Sequence, residues 1–183
     1  MAVAQFNLNA GQRAERKLLI TVVEWTETVG TTQTEVREIL GTRTPDSSIE
    51  YNADVQTETD IRGVNYTDVN KTQPQQSFDP FLVLGGSKLG ALLNDIRRRN
   101  AVSELNQFTV YVITAFIGSK QSGYEAERHS GCTISYESFG GDSNVNFPIT
   151  VYLSNDWNGS GAPSTGTVDK IAADFNFSAD VTL

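Results

Sequence analysis

His129 is the only histidine and Cys132 the only cysteine of the chain. The run His129-Ser130-Gly131-Cys132 therefore holds the residue types of a base and a nucleophile. In an extended strand, positions three apart point to opposite faces, so thiol and imidazole meet only if Gly131 introduces a bulge. Cys132 is expected to be a small buried hydrophobe instead. One histidine and one cysteine supply no ligand set for structural zinc, and a lone cysteine supplies no intrachain disulfide. Asp142, Asn144, Asn155 and Asp156 carry oxygen ligands but lack the spacing of a calcium loop, and turn chemistry accounts for them. Leu84-Gly85-Gly86-Ser87-Lys88 lacks the spacing of a phosphate-binding loop. The sequence predicts no enzyme, no cofactor and no metal site.

A different chemistry stands out between Asp46 and Asp60. Asp46, Glu50, Asp54, Glu58 and Asp60 share the even-numbered positions, with no base until Arg62. Ile49, Tyr51, Ala53 and Val55 occupy the odd ones, the alternation of a half-buried antiparallel strand. A helix would stack the acids unfavourably at i, i+4, and Thr57 and Thr59 would weaken it. The acidic face reads as a solvated outer face or as a wall that a polyanion passes without sticking. A surface without Lys or Arg releases no counterions to phosphate and so does not hold it.

The elements around this strand are mostly extended. Strands are expected at Leu18 to Trp25, more weakly at Thr34 to Leu40 where charges fall on both faces, and at Val64 to Val69. Phe108 to Ile117, nearly all apolar, reads as a central strand buried on both faces. Others are expected at Ala126 to Phe139, Val145 to Leu153 and Thr167 to Ala179, with Pro148 marking an edge or a bulge. One helix is predicted, Ser87 to about Arg99. Leu89, Leu92, Leu93 and Ile96 share one face, Ser87 caps the start, and Arg97, Arg98 and Arg99 suit the negative end of the helix dipole. Residues 1–16 show neither period and read as an arm ordered only when something holds it. Long loops are expected at 66–80 and 154–166.

The chain has 183 residues, of which 38% are hydrophobic and 20% charged, enough for a core in one domain, 1–183. Abundant Thr, Ser, Asn and Gly tilt it toward strands and turns. The net charge of −8 lacks the electrostatic footprint of a nucleic-acid binder. Leu18 to Val23, behind Arg13, Arg16 and Lys17, is too short for a signal peptide and is followed by no small-residue cleavage site. No segment has the length of a membrane-spanning helix. The expectation is a protein made and kept in a cytoplasm, with no membrane partner.

Arg43-Thr44-Pro45-Asp46-Ser47-Ser48-Ile49-Glu50-Tyr51-Asn52, then Glu58-Thr59-Asp60-Ile61-Arg62-Gly63, then Gln76-Ser77-Phe78-Asp79-Pro80 ahead of the helix, and late Gly166-Thr167-Val168-Asp169-Lys170, together form a pattern. In that order they resemble the major tail tube proteins of long-tailed, siphovirus-type bacteriophages with Gram-positive-type hosts. The resemblance implies a mainly β (α+β) fold, a β-sandwich with one flanking helix. It implies hexameric rings whose inner sheets join into a barrel, stacked as a tube in the virion tail after assembly in the host cytoplasm. Its partners would be further copies of itself, the tape-measure protein, tail initiator and terminator proteins, and viral DNA in transit without specific binding. Glu50, Asp54 and Glu58 would then face the lumen. The arm and long loops are natural places for contacts between rings, since a heterologous contact that closes makes a ring and one that advances makes a filament. Alternatives are a tube subunit of a contractile tail or injection system, and a carbohydrate-binding or adhesive β-sandwich using Trp25, Trp157 and surface tyrosines as a platform.

Overall fold

The computed structural model describes residues 6–119 and 123–154. Among them the chain is mainly β with one α-helix, as expected. The described residues fall into two compact units, each drawn from segments distant in sequence. The expected strand Thr167 to Ala179, nearly all of the loop 154–166, and residues 1–5 of the arm lie outside the described residues.

The first unit comprises residues 6–42 and 107–131, apart from 120–122. Strand β1 (Leu19–Val29) pairs antiparallel with β2 (Thr32–Ile39), Val29 opposite Thr32 and Val22 opposite Ile39. The weak strand expected at Thr34 to Leu40 is therefore a full hairpin partner. On its other side β1 pairs with β7 (Phe108–Ser119), Leu19 opposite Thr114 and Glu24 opposite Thr109. The apolar run at 108–117 is central, as its composition predicts: Val110, Tyr111, Val112, Ile113 and Ala115 are all buried. One face gathers Leu18, Ile20, Val22, Tyr111, Ile113, Ala115, Tyr124 and Ala126 into a single cluster, with Leu8 packed against it. Burying a side chain of this size contributes ~1.5–3 kcal/mol. These residues account for much of the unit's stability.

The second unit comprises residues 43–106 and 132–154. Strands β8 (Gly123–Tyr136), β9 (Ile149–Tyr152), β6 (Gln75–Phe78) and β3 (Ile49–Glu50) are neighbours in that order. Thr133 to Tyr136 of β8 pair with β9, and β9 with β6. Register places Phe78 opposite Ile149, and Ile134 opposite Val151, so one face is apolar. The opposite face is hydroxyl-rich, with Ser77 Oγ 3.0 Å from Thr150 Oγ1. The expected long loop 66–80 is corrected here, since it contains most of β5 (Asn65–Lys71) and all of β6. Its polar sequence hid a strand because Gln76, fully buried beside Phe78, alternates with Gln75 and Ser77.

Helix α1 (Lys88–Arg99) matches its prediction. Ser87 caps it by accepting from the Gly90 amide at 3.0 Å, and Asn100 closes it in the left-handed conformation at φ 54. Leu89, Leu93 and Ile96 are buried, whereas Leu92 is not among the fully buried positions. Arg97 at its end lies 4.2 Å over the Phe139 ring, and Arg99 grips both oxygens of Glu104 at 2.8 Å. That double grip holds the Glu104 carboxyl below its ordinary range.

Candidate assembly surface

The strand expected from Asp46 to Asp60 is not continuous. It splits into β3, paired with β6, and β4 (Asp54–Thr59), paired with β5 alone in a separate two-stranded sheet. Between them Asn52 adopts φ 43, which breaks the pleat. The ribbon stays tied across the break: the Gln73 amide donates to Tyr51 O at 2.8 Å and Asn52 Nδ2 donates to Gln73 O at 3.2 Å. The expected half-buried character is also corrected, because every residue of β4 is exposed. Alternation fixed which side chains share a face, but no described residue of the second unit covers the face with Val55.

Register sorts the hairpin into two chemically distinct faces. Val55 lies opposite Val69, Thr57 opposite Thr67, and Thr59 opposite Asn65. Hydroxyl contacts link the second of these pairs at 3.2 Å and Thr59 to Asn65 at 2.7 Å. The other face carries Gln56 opposite Asp68 and Glu58 opposite Tyr66, with Asp54, beyond a register shift, opposite Lys71. Asp54, Glu58 and Asp68 thus share the acidic face, and Asp68 joins it only through strand pairing. Glu50 is exposed as well, but on β3, across the break, where it stands opposite Gln75.

Asp60 organises the turn. Its Oδ1 accepts from the amides of Arg62 and Val64 at 2.8 and 2.9 Å, and Oδ2 accepts from the Tyr66 hydroxyl at 3.2 Å. These bonds, led by the one from Val64, hold its carboxyl below the ordinary Asp value. The turn presents Ile61 wholly to solvent. Val55 and Val69 on one face, Tyr66 on the other and Val64 beside the turn are all at least 45% exposed among the described residues.

The other predicted positions are placed as follows. His129 is buried, its Nε2 3.4 Å from Glu127 Oε2, in the first unit. Cys132 is fully buried in the second, as a small hydrophobe would be. Gly131 between them takes φ 68, a left-handed backbone that interrupts the regular pleat of β8. Trp25, suggested for a sugar-binding platform, is 5% exposed with its Nε1 donating to Glu27 at 3.3 Å, so it presents no face to a ligand. Trp157 lies outside the described residues. Among the described residues no group of three or more His, Cys, Asp or Glu could hold a metal ion.

Sequence reasoning missed a buried polar network. Glu24 on β1 stands opposite Arg37 on β2; its Oε2 accepts from Arg37 Nε and its Oε1 from the Tyr111 hydroxyl at 3.1 Å. The Arg37 guanidinium lies 5.8 Å from the Tyr111 ring centroid. Burial pushes the Tyr111 phenol above its ordinary value. The only advance sign was charge on both faces of the weak strand at 34–40.

Comparison with protein-family models, curated proteins and solved structures finds no match.

Proposed function

We propose that the chain is a structural subunit that assembles with copies of itself, as hexameric rings stacked into the tail tube of a long-tailed bacteriophage. The observation that carries this reading is the β4–β5 hairpin. A two-stranded hairpin alone is marginal in water, yet among the described residues this one leaves the Val55–Val69 pair exposed at one end and Ile61 exposed at the other, in the turn that Asp60 ties. Such a surface is expected to be covered by another protein, and a repeating subunit supplies that cover from a copy of itself.

One further feature supports it. The hairpin face that holds Asp54, Glu58 and Asp68 against the single base Lys71 suits a channel that conducts DNA without holding it; Asp54 and Glu58 are its lumen candidates with Asp68 an addition, and Glu50, on β3, is the third candidate. The partners that follow are the tape-measure protein and the tail initiator and terminator proteins.

Negative-stain electron microscopy across a concentration series, with light scattering for the mass in solution, tests the reading. Rings or tubes with a central channel are the expected result. Strictly monomeric particles at every concentration, with tail initiator proteins added, would overturn it.

A further inference from the structure

Strand β7 runs to Ser119, but β1 accompanies it only as far as Thr114. The flank of β7 beyond that point is taken by residues 6–8. Phe6 bridges Ile117 in antiparallel sense, and the Asn7 amide donates to Phe116 O at 3.0 Å. Asn7 Nδ2 donates to Gly118 O at 2.7 Å and to Ala115 O at 3.3 Å. One asparagine thus reaches the carbonyls of Ala115, Phe116 and Gly118. Phe6 meets the Phe116 ring edge-on at 5.6 Å, and Leu8 packs against the buried cluster of the sheet. This tripeptide is seated on a strand edge by one isolated bridge at Phe6 and a bend held by Asn7.

The segment that joins it to β1 lies at the surface. Residues 9–17 are exposed throughout. A turn reverses their course, with the Gln12 amide donating to Asn9 O at 2.9 Å and the Asn9 amide donating to Gln12 Oε1 at 3.1 Å. Gly11 sits in that turn at φ 81, a conformation that costs a side chain strain even though the space around it is open. If the turn opens, residues 9–15 extend over roughly 23–25 Å. That is the reach an opened turn gives residues 6–8.

We propose that Phe6-Asn7-Leu8 is an exchange arm, which docks on the Ala115–Gly118 edge of a neighbouring copy in the assembled state. The inference rests on the self-assembly reading and adds the segment, its receptor and its hinge. The contacts are identical within one chain and between two, so the exchange exposes no new surface at the dock. Its balance is set by the turn at 9–12 and by the local concentration of neighbouring edges. Dilute subunits keep the arm on their own edge; packed subunits trade it.

The test uses the full chain with Cys132→Ser, Phe6→Cys and Ile117→Cys. Bridge partners lie within disulfide range of one another. After oxidation, non-reducing gels of dilute subunits are expected to give intrachain-linked monomer, and gels of assemblies a ladder of covalent multimers. Gly11→Val, which disfavours the turn, is expected to bring the ladder on at lower protein concentration. Should the double-cysteine chain fail to fold, a photo-cross-linking residue at position 6 replaces it, in assemblies of mixed light and heavy isotope. Mass spectrometry then reads whether links to 115–118 join light to heavy chains. Assemblies that contain only intrachain links overturn the arm exchange and leave the tube reading standing. Interchain links without rings or tubes support the exchange and overturn the tube. Intrachain links alone, with no assembly at any concentration, overturn both.

Discussion

Replacing Arg37 by Met isolates the buried charge at Glu24. The two side chains are 10% and 11% exposed, facing each other across the β1–β2 hairpin. Removing the guanidinium leaves the Glu24 carboxylate its hydrogen bond from the Tyr111 hydroxyl but no longer its ion pair with Arg37, in a site that water barely enters. Breaking such a pair by deleting one partner costs about 3–5 kcal/mol, chiefly the desolvation of the stranded charge. The second contact of Arg37, Glu35 at 3.7 Å, adds little because Glu35 is 62% exposed. In urea, where m is ~1–3 kcal/mol/M for a small protein, a loss of 3 kcal/mol lowers the unfolding midpoint by about 1–3 M. The double variant Glu24→Leu with Arg37→Met removes both charges and should recover most of that loss. The reasoning fails if Arg37→Met leaves the midpoint within about 0.3 M of the parent, less than the smallest shift the slope allows. It fails equally if the double variant is no more stable than the single one.

Three further outcomes are expected. The folded-state pKa of Asp60 is depressed, so its contribution to the turn is full above the ordinary Asp value and is lost as pH falls through the lowered one. Protection of the Arg62 and Val64 amides, measured against the intrinsic exchange rate at each pH, should accordingly fall below about pH 4, and Asp60→Asn should make that protection independent of pH there. Ser87→Ala should cost about 1 kcal/mol of stability by stripping the cap from the Gly90 amide, read by chemical denaturation; a change under a few tenths would dismiss the cap. Glu50, Asp54 and Glu58 changed together to Gln should leave tubes assembling while slowing DNA passage in an ejection assay, and an unaltered ejection rate would count against a lumen role.

Local rules carried much of the fold. Helix α1 was legible because its apolar spacing, its Ser87 cap and its arginine end all agree, and each acts within a turn or two of chain. The run at 108–117 was legible because an unbroken β-branched and aromatic stretch has nowhere to go but the interior. The row Glu50, Asp54, Glu58 was legible as a row by its period of two. What the sequence could not decide was whether anything lies over a face. The Ile49 to Val55 alternation looks the same whether a core covers it or solvent does, and only the tertiary structure left Val55 and Tyr51 open. Nor could it place the left-handed kink at Asn52, which moves Glu50 onto another sheet from Asp54 and Glu58. Gln76, polar in sequence, is buried by its register on β6, and Glu24 is made tolerable inside by Arg37 and Tyr111, partners that strand pairing supplies. Periodicity is a property of one strand, whereas burial and charge pairing belong to what the rest of the chain brings against it.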